Sequence, residues 1–145
     1  MTVYTKDLSI RWSDIDPNFH LRHTSYYDFG AQLRTEMLAQ LGITLQAMQE
    51  QSFGPVLFRE ECIFRREIKY GDKVSINIKL TRLRNDFSRF SIQHEFIRQD
   101  GTLCAVLNVD GAWIDTKARK LSPPPQIGID AINTLPKADD FQWID

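Results

Sequence analysis

The twelve residues from Ser13 to Thr24, SDIDPNFHLRHT, hold two aspartates, an asparagine and two histidines. A carboxylate such as Asp14 or Asp16 serves as a nucleophile or as a general base for water. An imidazole such as His20 or His23 carries a proton, and the Asn18 amide orients either. The same residues also fit a capped, hydrated turn, and Asp14 in particular is expected to brace the loop by accepting hydrogen bonds from its amides.

The elements on either side must position this loop. Before it, residues 3–12 put Tyr4, Leu8, Ile10 and Trp12 on one parity and Thr5, Asp7, Ser9 and Arg11 on the other, the pattern of a half-buried strand. After it, Tyr26, Phe29, Leu33, Met37 and Leu41 recur at helical spacing, widened by Tyr27, Ala31 and Leu38, which predicts a largely enclosed helix over 25–41. Ser25 and Asp28 resemble a capping box, and Gly42 supplies the stop. The loop therefore ends at the amino end of a helix, where unpaired N–H groups and the helix dipole favour negative charge, including a developing oxyanion.

Residues 43–52 predict a second short helix, broken by Phe53-Gly54-Pro55 before a strand over 56–66. Val74, Ile76, Ile78 and Leu80 alternate with polar residues in the next strand. Asn85-Asp86 turns it into another, carrying Phe90, Ile92, His94 and Phe96, with His94 expected to face the helix as a satisfied core histidine. Asp100-Gly101 leads into 102–115, apolar on both faces at Leu103–Leu107, with Gly111 marking a bulge. The order strand, helix, four strands predicts an α+β fold in which a five-stranded antiparallel sheet wraps one long central helix. Residues 1–145 read as a single domain, with a core over about 3–125 and a weakly patterned tail over 126–145. One sheet edge and part of the helix stay uncovered, which predicts a homodimer or homotetramer with sites at subunit boundaries.

Composition narrows the function classes. With 145 residues, 26% charged, and a formal net charge of -1, the chain has no basic footprint for nucleic acid. No segment has the length and apolarity of a membrane span, and MTVYTKDLSIRW lacks the basic region followed by an apolar one expected of a leader peptide. Cys62 and Cys104 are isolated, which predicts free thiols in a reducing, cytoplasmic compartment. The three histidines and two cysteines lack metal-ligand spacing, so neither a metal nor another cofactor is expected.

The motif D-x-D-x-N-x-H-x-x-x-x-x-Y stands here as Asp14, Asp16, Asn18, His20 and Tyr26, followed by Leu33-Arg34 in the helix. A Y-G-D-x-V-x-I run occupies Tyr70 to Ile76, and W-I-D-T-K-x-R-K-L-x-P-P closes at Pro124. In this order the motifs resemble the hotdog-fold acyl-CoA thioesterases of the 4-hydroxybenzoyl-CoA thioesterase-like group, with plant acyl-carrier-protein thioesterases as more distant relatives. The resemblance implies hydrolysis of an acyl-CoA or acyl-carrier-protein thioester. It makes Asp16 the nucleophile or the general base for water, and it puts oxyanion-binding N–H groups near His23. It also implies that His20 and Asn18 orient water or substrate and that Tyr26 borders the substrate. The chain departs from the pattern at Phe19, where many relatives have Gly, and at Arg22-His23, where they have an Asn pair.

Beyond the loop, Arg82, Arg84 and Arg89 cluster about one hairpin and Arg65, Arg66, Arg119 and Lys120 add more positive charge, all fitting either the phosphates of coenzyme A or a solvated basic face. Phe58, with Phe53 and Val56, fits an acyl pocket or plain core packing. Two other functions stay open: a hotdog dehydratase or hydratase, and a non-catalytic acyl-thioester binding module. The dehydratase is disfavoured because the helix offers Asp28 and Glu36 but no histidine after His23.

Overall fold

A computed structural model describes residues 4–145. Its longest helix, α1 (His23–Gln40), buries Tyr26, Gly30, Leu33 and Met37, the one face that four-residue spacing selects. The helix starts two residues before the expected point, with Arg22 as its N-cap. Ser25 lies inside its first turn, fully buried, and donates from Oγ to Asp14 Oδ1 (3.2 Å) rather than forming a capping box with Asp28. Gly42 closes the helix in the left-handed region (φ 87°), which costs glycine little. A shorter helix, α2 (Leu45–Gln51), follows, its Ala47 N–H capped by Thr44 Oγ1 (3.1 Å).

The sheet has eight strands rather than the expected five: β1 (Thr5–Asp7), β2 (Phe53–Phe64), β3 (Val74–Asn77), β4 (Lys79–Arg84), β5 (Arg89–Arg98), β6 (Leu103–Asp115), β7 (Lys120–Leu121) and β8 (Lys137–Ile144). Strand β5 pairs antiparallel with β6 on one side and with both β3 and β4 on the other, while β2 lies outside β6. The first strand is only three residues long, and Val3 lies outside the described residues. Leu8 and Ile10 still pack against the core after the chain leaves the ladder.

The expected single strand through 74–81 is broken in two at Ile78. There the Asn77 side chain pairs with Glu95, accepting from its backbone N–H (2.8 Å) and donating to its carboxylate (2.9 Å). An interruption of this kind increases local twist and curls the sheet. Gly111 does not itself bulge. A Cβ on it would sit 2.7 Å from Val56 O and 2.8 Å from the Phe90 ring, and the extra residue is Phe58 on the facing strand, between Leu57 and Arg59.

The tail is ordered structure. Helix α3 (Gln126–Thr134) buries Ala131 and Ile132, with Leu135 buried just beyond, and β8 then pairs parallel to β4. The sheet is thus antiparallel except at this edge. The core between α1, α3 and the sheet includes Leu33, Ile76, Ile78, Phe96, Leu107 and Val109, all close to fully buried.

Candidate functional site

The polar loop folds back on itself. Ile15 and Leu21 form an antiparallel bridge, Asp16 N–H donates to His20 O (2.9 Å), and Phe19 N–H donates to Asp16 O (3.0 Å). A second bridge, His20 with Lys69, and the bond from Leu21 N–H to Ile68 O (2.6 Å) fasten the loop to the segment before β3. The chain reverses through Phe19 at φ 63°, in the left-handed region.

Within this frame the Asp16 carboxylate accepts at Oδ1 from the N–H groups of Asn18 (2.9 Å) and His20 (3.2 Å). Both bonds use one oxygen, and no hydrogen bond to Oδ2 is formed among the described residues. A cavity of about 330 Å³ is bounded by Asp16, His20, His23, Tyr26 and Phe64, with Arg65, Arg66 and Glu67 on its outer wall. Tyr26 is 3% exposed, its ring edge-on to Phe64 at 5.0 Å and to Phe96 at 5.1 Å, and burial raises its phenol above the ordinary range. His23 is exposed at the first helical position. Ser25 N–H bonds back to Arg22 O (2.9 Å), whereas the N–H groups of His23 and Thr24 precede the intrahelical ladder and stay available to an anion.

Asp14 sits beside this site without lining it. It is 2% exposed and accepts from Arg11 N–H (2.9 Å), the Arg11 guanidinium and Ser25 Oγ. Burial pushes its carboxyl up, but those hydrogen bonds prevail and hold it below the usual carboxylate range. This is the bracing role expected for it. Asn18 is exposed and serves the site through its backbone N–H, with its side chain off the cavity wall.

The remaining expected contacts do not meet Asp16 within one chain. Arg98 reaches the cavity wall, donating to Glu67 O (3.4 Å). Arg89 begins the same strand nine residues away, about 30 Å at roughly 3.3 Å per residue. Arg82 and Arg84 lie on β4 at that far end, Arg84 near Asp86 (3.7 Å), and Arg89 stacks over the Phe58 ring (5.4 Å). In their place the cavity has Arg65 and Arg66, which follow the last residue of β2 and come to the loop only through the fold.

A second cavity, of about 190 Å³, lies between α1, α3 and the inner sheet face. Pro55 and Leu57 line it, rather than Phe53, Val56 or Phe58. The bulge at Phe58 turns that side chain outward over Arg89.

A family model described as the thioesterase-like superfamily matches residues 10–132. Among solved structures, a hypothetical protein of Staphylococcus aureus in complex with CoA superposes with a TM-score of 0.82 at 18% identity, over 90% of this chain and 81% of that one. A 1,4-dihydroxy-2-naphthoyl-CoA thioesterase from Synechocystis superposes at 0.80 with 20% identity, over 91% and 96%. A gentisyl-coenzyme A thioesterase does so at 0.72 with 20% identity, over 85% and 97%. No curated protein matches the sequence.

Proposed function

The chain belongs to the thioesterase-like superfamily, and from that premise we propose that it hydrolyses an acyl-CoA thioester at the cavity holding Asp16. The observation that carries the reading is the placement of a carboxylate, fixed through one oxygen by the Asn18 and His20 amides, beside the unpaired N–H groups that open α1. As general base, Asp16 takes a proton from water as its oxygen attacks the thioester carbonyl carbon. The carbonyl oxygen becomes an oxyanion, which the N–H groups at His23 and Thr24 hold. Collapse breaks the C–S bond, releasing the acid and a thiolate that recovers the proton. As nucleophile, the same carboxylate displaces the thiolate to give an anhydride, which water then cleaves. His20 and Asn18 orient water or substrate, and Tyr26 borders the acyl group.

The working unit in this reading is a homodimer or dimer of dimers, each chain one domain. Strand β2 is twelve residues long, pairs on one side only, and exposes Leu57, Phe58, Ile63 and Phe64. Such an edge is a template for another chain. Two-fold antiparallel pairing of β2 with its copy carries the partner's Phe58 and Arg89 end toward Asp16, with Arg82 and Arg84 behind it, where these residues hold coenzyme A. No helix among the described residues is long and apolar enough to cross a membrane. The free thiols Cys62 and Cys104 suit a reducing, cytoplasmic setting.

The test is hydrolysis of a panel of acyl-CoAs by the wild type and Asp16→Asn. We expect a loss in kcat of roughly 10²-fold or more with KM little changed. Binding without hydrolysis across the panel makes the chain an acyl-thioester binding module instead.

A further inference from the structure

We infer that the apolar cavity between α1 and α3 takes the distal end of a linear aliphatic acyl chain, with α3 as its end wall. The inference rests on the hydrolase reading and supplies its substrate class.

The cavity is built like a blind pocket. Its outer wall residues, Ala31, Thr35 and Leu57, are exposed along the seam between α1 and β2, whereas Trp113, Ala131 and Leu135 are buried at its base. Two of those three base residues come from the chain after Pro125, so the terminal segment closes the pocket. Arg34 is the one charged residue on the wall, and its guanidinium is already held by His94 (3.0 Å) and Glu60 (3.5 Å). A polar head group gains no free charge there, whereas methylene groups gain burial.

The Asp16 cavity and this one also lie along the same seam. Helix α1 and strand β2 run side by side in opposite directions: Tyr26 meets Phe64 near the helix start, Arg34 meets Glu60 midway, and Leu57 shares the pocket with Thr35. At about 100° per residue, His23, Tyr27, Ala31, Arg34 and Leu38 fall within about 80° of arc, one stripe linking the two cavities. Eight residues separate His23 from Ala31, about 12 Å at 1.5 Å rise. An extended carbon chain with bonds of about 1.5 Å and angles near 111° advances about 1.25 Å per bond, so about ten bonds cover that distance. The apolar cavity beyond takes the remainder of the chain. An acyl chain must therefore exceed about ten carbons to enter it. A short aroyl group ends well before it.

Two readouts separate this inference from the hydrolase reading. In the first, kcat/KM is measured for straight-chain acyl-CoAs of 4 to 18 carbons with wild type, Ala131→Phe, which fills the base, and Ala31→Phe, which fills the mouth from an exposed position that tolerates the change. We expect a wild-type preference for chains longer than about twelve carbons, and in both variants a tenfold or greater fall in the ratio of the sixteen-carbon to the six-carbon value. Active enzyme with a preference for short or aromatic acyl groups, or a ratio unmoved by both variants, overturns the inference while leaving the hydrolase standing.

The second readout needs no catalysis. Of the three tryptophans, Trp12 and Trp143 are exposed and Trp113 is buried at the cavity, so the Trp12→Phe, Trp143→Phe protein reports from Trp113 alone. Hexadecanoic acid brominated at carbon 16 should quench that fluorescence, the acid brominated at carbon 2 should not, and Ala131→Phe should abolish the effect. Quenching without hydrolysis of any acyl-CoA supports the cavity and overturns the catalytic reading. Absence of quenching overturns the inference.

Discussion

Arg34 Nη1 donates to His94 Nε2 across 3.0 Å, joining α1 to the middle of β5. A guanidinium has no acceptor, so Nε2 carries the lone pair. The proton therefore sits on Nδ1 and donates to Asn77 O at 2.8 Å, at the point where the strand breaks. One neutral tautomer satisfies both bonds, and the imidazole is fully buried. Gly30 allows this contact: a Cβ there would stand 2.6 Å from Leu107 Cδ2 and 3.2 Å from both the guanidinium and the imidazole.

A pH dependence of stability follows. Burial first, then the Arg34 charge, lowers the His94 pKa from 6.5 to about 4, against a smaller opposing effect of Asn77 O. Both folded and unfolded states are neutral at this site above pH 6.5. Between there and about pH 4 only the unfolded chain takes the proton, so stability falls as the pH drops through that window. At about 1.4 kcal/mol per unit the full loss is about 3 kcal/mol. Urea unfolding from pH 7.5 to 4.5 should show this slope, and His94→Gln should flatten it. An equal slope in both proteins would place the titration elsewhere.

Phe19 holds a left-handed backbone (φ 63°) while 70% exposed, so its side chain gains little burial to offset strain of about 1–2 kcal/mol. Phe19→Gly should be close to neutral, since relief of strain is balanced by about 1 kcal/mol of lost backbone entropy. Phe19→Val, whose branched Cβ suits this region worst, should cost about 1–2 kcal/mol beyond the phenylalanine. Thermal unfolding of the two variants side by side checks the order; a valine variant as stable as the glycine variant contradicts it.

How far the sequence carries depends on whether the deciding contacts are local. Asp16, His20, His23 and Tyr26 converge because they span eleven residues, and their helix announces itself by spacing alone. The break at Ile78 is hidden, since Val74 to Leu80 alternate without a flaw and only the facing Glu95 engages the Asn77 side chain where the pairing of β3 with β5 ends. Strand β8 is invisible for a similar reason: its partner β4 lies more than fifty residues earlier and runs parallel to it. A hairpin of arginines can be read from sequence, but not which end of the sheet it occupies. Arg82, Arg84 and Arg89 lie at the end of the sheet away from the Asp16 of their own chain, whereas Arg65 and Arg66, equally basic in the sequence, come beside it only through the fold.

The exposed edge of β2 predicts the assembly. Ile63 is 41% exposed in the isolated chain, so Ile63→Lys should leave the fold intact and place a charge at the pairing face. Sedimentation at micromolar concentration should show a dimer or tetramer for the wild type and a shift toward monomer for the variant. A wild-type monomer removes the shared site.

Coenzyme A recognition is tested at the far end of the sheet. Replacing Arg82, Arg84 and Arg89 with Ala should raise KM severalfold, more at high salt, with kcat nearly kept. These side chains lie about 30 Å along the strand from the Asp16 cavity of their own chain, so the effect should vanish in any variant that is monomeric. An unchanged KM returns them to a solvated basic face.

Asp14 and Asp16 stand two residues apart and should fail in opposite ways. Asp14→Ala strips the partner from buried Ser25 Oγ and from Arg11 N–H, which should cost about 1–3 kcal/mol for the groups left unpaired. Because its folded pKa is lowered from 3.8, the stability Asp14 supplies is fully present above that value and is lost as the pH falls below it. The Asp14→Ala protein should therefore lose less stability than the wild type on acidification in that range. Asp16→Asn keeps an acceptor for the Asn18 and His20 amides, so its Tm should stay near the wild-type value, while the carboxylate needed to take a proton or attack a carbonyl is gone. A double comparison of Tm and kcat separates the roles: Asp14→Ala should move Tm, and Asp16→Asn should move kcat. If Asp16→Asn turns over its best acyl-CoA at the wild-type rate while Asp14→Ala, still folded, does not, the chemistry belongs to Asp14 and the loop geometry has been assigned to the wrong aspartate.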